Sequence, residues 1–272
     1  MKSDFSKKLE EKVKKTIEKY KMFNKKEKLL IALSGGKDSA ALAYIMKKLG
    51  YEFECLHINV GIGQFSEFSE KYAKIQSRML GCNLNILRVK ELLGKSVNEI
   101  SKARPVCSVC GITRRYLMNY FAFKKGFDVL ITGHNLDDIA KFYFHNLFNG
   151  QITYLSSLRP VIPKEKKLVK KVKPLFFVRE EETLKYVSLN SIEFNPIRCP
   201  YERFAKTKRY DTILNSIDLI NKRFLHSFVR NLSNLIHPKE AEMKTCKVCG
   251  MPSNRDVCSF CKIWNRKEPL VI

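Results

Sequence analysis

Residues 29–39 read Leu-Leu-Ile-Ala-Leu-Ser-Gly-Gly-Lys-Asp-Ser: a short, continuously apolar strand that ends in a glycine turn and passes straight into an Ala/Leu/Ile/Met-rich helix reaching position 49. A strand apolar at every position must be covered on both faces, which places it inside a parallel sheet. The alternation then repeats. Strands are expected at 53–60, at 84–89 from the spacing of Leu84, Ile86 and Val89, and at 127–132; helices are expected at 66–80, closed by Gly81, at 114–125 and at 137–148. Strands alternating with helices predict an α/β fold, a parallel sheet flanked by helices, with ligands received at the carboxyl ends of the strands.

Three regions are expected. Phe5, Leu9, Val13, Ile17 and Tyr20 form one apolar stripe among lysines and glutamates, so residues 1–28 read as an amphipathic helix packed on the remainder. Residues 29–240 carry the sheet, with a lysine-rich loop or strand pair at 160–174, a helix at 180–189 and one or two helices within 209–236. At 241–272 the composition shifts to a small cysteine module.

Lys and Arg number 51 against 27 Asp and Glu, a formal charge of +24, and so excess a positive field predicts a polyanionic partner. Lys164, Lys166, Lys167, Lys170, Lys171 and Lys173 form one dense basic run; Arg203, Lys206, Lys208, Arg209 and Tyr210 form a second. Either run alone also reads as a solvated face; together they favour phosphate contact with salt-sensitive affinity. No apolar stretch approaches the roughly 18 to 20 residues that cross a bilayer. The charged, amphipathic first 28 residues lack the pattern of a secretory signal, so the expected compartment is the cytoplasm, with no membrane partner.

Ser34-Gly35-Gly36-Lys37-Asp38-Ser39 lies where a strand hands over to a helix, and there free amides and the positive helix end cradle an anion. The common triphosphate loop needs Gly-Lys-Ser/Thr; here Asp38 follows Lys37. Nine cysteines without a secretory signal favour reduced thiols or metal ligands, and six of them fall in Cys-x-x-Cys pairs. Cys246-x2-Cys249-x8-Cys258-x2-Cys261 supplies four thiolates, enough for a closed Zn2+ site. Cys107 and Cys110 with the remote Cys199 would hold a metal or cluster while leaving one position unfilled, which suits a reactive site; Cys199 alone also reads as a buried thiol. Asp137 and Asp138 follow the 127–132 strand, where two acids at a helix start also simply suit the dipole; beside Gly133-His134-Asn135, Asp138 is preferred for Mg2+ or the catalytic step. Cys55, Cys82, His145, His226 and His237 are assigned to packing or surface.

The loop matches, position for position, the SGGxDS signature of the PP-loop ATP pyrophosphatases. With CSVCG at 107–111, GHNLDD at 133–138, Pro174-Leu175, Arg179-Glu180 and RCPY at 198–201, residues 29–261 resemble the tRNA 2-thiolation enzymes, which include thiocytidine, wobble thiouridine and T-loop thiouridine synthetases. The resemblance implies a PP-loop (HUP-like, adenine-nucleotide α-hydrolase-like) domain in which Ala32, Ser34, Gly35, Gly36, Asp38 and Ser39 contact ATP or its Mg2+. Gly133 and Asp138 join them from the neighbouring strand end, and His57 and Ile58 lie on the adenine side. It further implies a [4Fe-4S] cluster on Cys107, Cys110 and Cys199, ATP-driven adenylation of a pyrimidine C2 oxygen in tRNA, sulfur insertion from sulfide or a sulfur-carrier protein, and a homodimer. A persulfide route on the same cysteines is the alternative proposal for that family. Arg114 stands where some relatives carry a catalytic lysine; a fixed cation cannot act as a base, so its expected role is electrostatic. Two departures leave the substrate position open: no cysteine or histidine precedes Cys55, where thiouridine branches carry a second metal module, and the thiocytidine branch generally lacks a terminal ribbon. The competing readings are 2-thiocytidine synthesis, a PP-loop ligase with another acceptor, and a non-catalytic tRNA-binding or sulfur-relay protein.

Overall fold

A computed structural model describes residues 2–101, 104–205, 207–221, 223–236 and 243–272. Lys206 of the second basic run, His237 and the expected 240/241 domain boundary lie outside the described residues. The sheet is built from β1 (Leu29–Ala32), β2 (Glu54–Asn59), β3 (Leu84–Arg88), β4 (Val129–Ile131), β5 (Val161–Ile162) and β6 (Lys170–Val172). Its order is β3-β2-β1-β4-β6-β5, parallel throughout except for β5, which runs antiparallel to β6 at the edge. The chain steps outward from β1 in one direction to β3 and then crosses to β4 on the other side. The crevice above β1 and β4 is therefore the topological switch point, where sheets of this type take ligands.

Side-chain alternation divides the strands between two layers. Leu29, Ile31, Val129, Ile131 and Val172 pack under α1 (Lys2–Lys19), α2 (Lys37–Lys48), α3 (Gly63–Leu80) and α8 (Glu180–Leu189). Leu30, Leu56, Ile58 and Leu130 face the opposite layer, made by α4 (Val89–Leu93), α5 (Val97–Ile100) and α6 (Val106–Lys124). A third apolar cluster joins α7 (Leu136–Phe148) to α9 (Asp211–Ile220) and α10 (Phe224–Leu235).

The stripe expected near the N-terminus is buried as proposed: Leu9, Val13 and Ile17 sit in the first layer, each contributing roughly 1.5–3 kcal/mol of apolar burial. Lys12 pairs with Glu182 at 2.7 Å and Tyr186 donates to Glu10 at 2.8 Å, which fixes α1 along α8. No helix among the described residues is long and apolar enough to cross a membrane.

Three local expectations are corrected. The helix expected at 114–125 begins at Val106, so Cys107 and Cys110 lie inside α6 rather than ahead of it; Pro105, with φ −56°, starts the helix without needing an amide hydrogen. The third strand ends at Arg88, because Val89 turns into α4. The 164–173 lysine run is not one solvated face. Lys164, Lys166 and Lys167 are exposed on the β5–β6 turn, whereas Lys170 pairs with Glu27 at 2.6 Å and Lys173 is only 4% exposed.

The cysteine module contains β7 (Lys244–Thr245), β8 (Pro252–Ser253) and α11 (Ser259–Ile263). Its buried side chains are continuous with the α6 layer. Phe260 stacks on Tyr116 with ring centroids 3.7 Å apart, and Trp264 Nε1 donates to Thr113 Oγ1 at 2.9 Å. Both partners belong to α6, so the helix carrying Cys107 and Cys110 is braced from behind by the module.

Candidate active site

The loop between β1 and α2 is held open by its own polar atoms. Ser39 Oγ accepts from Ser34 N at 3.1 Å, lies 2.9 Å from Ser34 Oγ and donates to the Gly36 carbonyl at 3.1 Å. The first helical hydrogen bond of α2 runs from Ala40 N to Gly36 O, leaving the amides of Lys37, Asp38 and Ser39 without intrahelical acceptors. Gly35 has φ +81°, and a Cβ there would come within 2.3 Å of the Ser69 carbonyl. Gly133 meets the loop from β4, where a Cβ would sit 3.1 Å from the Ser39 backbone.

These elements enclose a cavity of about 360 Å³, adequate for a nucleotide. Ala32, Ser34, Gly36, Asp38, Ser39, Ile58, Gly133 and Asp138 of the expected set line it, as does Arg114. His57 does not. Its side chain turns to the other face of β2, fully buried, with Nδ1 2.9 Å from the Leu33 carbonyl, and burial, reinforced by the nearby Arg114 charge, lowers its pKa to about 4. It packs as a neutral ring.

The two acids after β4 have separate tasks. Asp137 receives Arg179 at 3.1 Å and the Glu180 amide at 2.7 Å, while Arg179 also grips Asp218 with two bonds of 2.9 Å. Asp137 is thereby a structural clamp between α7, α8 and α9. Asp138 faces the cavity. Asn135 caps α7 by accepting from Asp138 N at 3.0 Å and donates to Asp38 at 3.1 Å, so it sets the two carboxylates toward each other. Burial, and next the Asp38 charge, push Asp138 up to about 7. Asp38 is further fixed by Thr183 at 2.5 Å and Lys37 at 2.9 Å.

Gly111, Arg114, Arg115 and Met118 all line the cavity, and their spacing of three, four and seven residues is one helical face of α6. Arg115 and Met118 were missed, although that spacing is visible in the sequence. Cys107 and Cys110, three apart, share a side of the first turns, and Arg114 follows Cys110 by four. Cys199 reaches them from a distant part of the chain. Asn195 N donates to the Gly35 carbonyl at 2.9 Å, its side chain bonds Ser69 at 2.9 Å, and Gln76 ties the same Gly35 carbonyl to that of Glu193. The irregular segment leading to Cys199 is thus hung on the loop itself. Beyond it, Cys107 Sγ donates to the Tyr201 carbonyl at 3.3 Å. The thiols feel one another: burial raises Cys107, helped by the charges of Cys199 and Cys110, and Cys199 is raised by burial and by Cys110 while Arg114 opposes.

In the module, the four sulfurs of Cys246, Cys249, Cys258 and Cys261 lie within 4.8 Å of one another and all four residues are buried. Cys258 N and Cys261 N point at the sulfurs of Cys246 and Cys258, at 3.3 and 3.4 Å.

A PP-loop domain model matches residues 4–196. The chain is 46% identical over 271 residues to the tRNA-5-methyluridine(54) 2-sulfurtransferase of Pyrococcus horikoshii, covering 98% of this chain and 87% of that one. It is 39% identical to the protein of the same description from Thermotoga maritima, covering 98% and 90%. Among solved structures, the U34-tRNA thiolase NcsA from Methanococcus maripaludis with its [4Fe-4S] cluster superposes with a TM-score of 0.86 at 27% identity, covering 100% of this chain and 91% of that one. The expected fold and family are borne out: the chain belongs to the PP-loop tRNA 2-thiolation family and is a tRNA-thiolating sulfurtransferase.

Proposed function

We propose that this enzyme converts a uridine-type base of tRNA into its 2-thio form, spending one ATP per sulfur. The observation that carries this reading is the shared wall: the helix that bears Cys107 and Cys110 lines the PP-loop cavity with Gly111, Arg114, Arg115 and Met118, one to eight residues after Cys110. The amides of Lys37, Asp38 and Ser39 receive the pyrophosphate part of ATP, and Asp38 and Asp138 would hold Mg2+, whose charge would offset the repulsion between the two carboxylates. The C2 oxygen of the base attacks the α-phosphorus, pyrophosphate leaves, and a sulfur nucleophile then takes C2 as AMP departs. Arg114, whose buried Nε has no partner among the described residues, stabilises negative charge developing between nucleotide and thiols.

Cys107, Cys110 and Cys199, three thiols from two segments, would hold a [4Fe-4S] cluster. When bound, such a cluster supplies a Lewis-acidic position that presents sulfide. Close resemblance to the 5-methyluridine(54) enzymes favours the T-loop position, and sulfide or a carrier protein is the inferred donor. A second copy of the chain is the inferred partner, for which the exposed Leu219, Ile220 and Leu235 offer apolar surface; the cytoplasm is the inferred compartment. Incubating the reconstituted protein anaerobically with ATP, sulfide and unmodified tRNA, followed by nucleoside mass spectrometry, is expected to yield 2-thiouridine or 5-methyl-2-thiouridine at one position. Product at cytidine, or none with pyrophosphate still released, would refute the reading.

The terminal cysteines suit structural Zn2+. Metal–sulfur bonds of about 2.3 Å place tetrahedral ligands about 3.8 Å apart, and the Cys249 and Cys258 sulfurs are 3.8 Å apart. Because the module braces α6, removing this metal is expected to loosen more than the module. Chelation should lower the melting temperature by 10 °C or more on the order-of-magnitude scale of structural zinc, and hydrogen exchange should rise at 106–120 as well as at 244–264. Faster exchange confined to the module would contradict the brace.

A further inference from the structure

Behind the nucleotide cavity lies a second pocket of about 330 Å³ that the reaction scheme above leaves unused. Asn119 of α6, Ser157 and Arg159 before β5, Lys171 of β6, and Met243 and Asn254 of the cysteine module contribute to its wall. Lys171 is in register with Leu130, so it projects to the α6 side of the sheet, and Lys173 follows on the same side. Lys173 donates to the Ser157 carbonyl at 3.3 Å and the Arg159 carbonyl at 2.6 Å, which fixes the segment presenting Arg159. Arg159 Nε is buried with no partner among the described residues.

These cations form a row that starts in the nucleotide cavity. Arg115 lines that cavity and opposes the charge on Lys171, which together with Arg159 opposes the charge on Lys173. Burial, then this crowding, lowers Lys171 to about 8 and Lys173 to about 7. Among the described residues none of the four forms an ion pair; Glu165 also lines the pocket but is exposed and pairs with none of them. Several like charges gathered in a poorly solvated place are costly unless an anion joins them. The loop amides already provide for the phosphates of the nucleotide, and Lys164, Lys166 and Lys167 extend the positive surface outward from this pocket along the β5–β6 turn.

We propose that Arg159 and Lys171, supported by Lys173, form a phosphate site for a phosphodiester of the RNA strand beside the base that enters the PP-loop cavity. The proposal rests on the tRNA-thiolase reading for the identity of the polyanion. It also gives the cysteine module a direct task, since Met243 and Asn254 close the pocket and Lys166 donates to the Met243 carbonyl.

The test uses full-length protein, a tRNA transcript and ATP as separate probes, with Arg159→Met, Lys171→Met and the charge-keeping Arg159→Lys. Filter binding between low and moderate KCl is expected to show about tenfold weaker tRNA binding for each Met variant, with the slope of log affinity against log salt flattened by about 0.7 to 0.9. Arg159→Lys should restore most of that slope, and calorimetry should find ATP affinity within a factor of about two of the parent. A loss of ATP affinity with tRNA binding intact would assign the site to the nucleotide, and parental values for both probes would overturn it. Parent protein that binds tRNA with the steep slope but forms no thiolated base would sink the thiolase reading and leave the phosphate site standing.

Discussion

Cys199→Ala is expected to reduce tRNA thiolation by at least about a thousandfold, to background, with ATP affinity changed by no more than about twofold. The reason lies in how that residue arrives. Its segment is anchored to the Gly35 carbonyl by Asn195 N and Gln76, and that anchorage is backbone-directed, so deleting one thiol leaves the loop intact. What is lost is the third sulfur beside Cys107 and Cys110. Residues that act as one unit are not additive, so Cys107→Ala, Cys110→Ala and the triple variant should give similar residual rates. Single-turnover assays with radiolabelled ATP check both halves, because adenylate and pyrophosphate formation are read separately from thiolated nucleoside. A variant that still thiolates at a tenth of the parental rate would remove Cys199 from the chemistry.

Asp138→Asn is expected to have opposite effects on activity and stability. Turnover should fall by a factor of about a hundred or more, since on the proposed mechanism the carboxylate offered to Mg2+ is replaced by a neutral amide. The metal-free protein should nevertheless become more stable at high pH. Asp138 is raised to about 7 by burial and by the charge of Asp38, against about 3.9 for an unfolded aspartate. Between those values the folded state holds a proton that the unfolded chain has released, so stability falls as pH rises through the window and stays low above it. Asparagine removes that penalty. Melting curves in chelator should therefore coincide near pH 4 and separate by a few degrees at pH 8, with the variant higher; curves that stay together across this range would contradict the assigned repulsion.

The parts of the fold legible in the sequence are those in which local pattern and tertiary role coincide. The all-apolar run at 29–32, the glycine turn after it and the stripe in α1 each carry one message, and the sheet and its switch point follow. The start of α6 was less legible because Cys-x-x-Cys suggests a metal turn, while the proline ahead of it starts a helix equally well. Asp137 and Asp138 are indistinguishable as sequence; Arg179 at the start of α8 and Asp38 at the start of α2, brought by distant segments, divide them into a clamp and a cavity carboxylate. Thr183 lies 145 residues from Asp38, and no local spacing announces their hydrogen bond. The lysine run shows the limit of charge counting, since strand alternation sends Lys171 and Lys173 inward while the turn lysines stay in water.

On the proposed mechanism the three thiols beside the nucleotide cavity hold an iron centre, and sulfur transfer depends on it. That dependence is tested most directly by comparing thiolated nucleoside formed per chain by iron-free protein and by the same preparation after anaerobic reconstitution, with iron and labile sulfide counted in each. Close to four irons per chain are expected after reconstitution, with product in proportion to iron and none from the iron-free protein although it still binds ATP. Equal product from both preparations would contradict it.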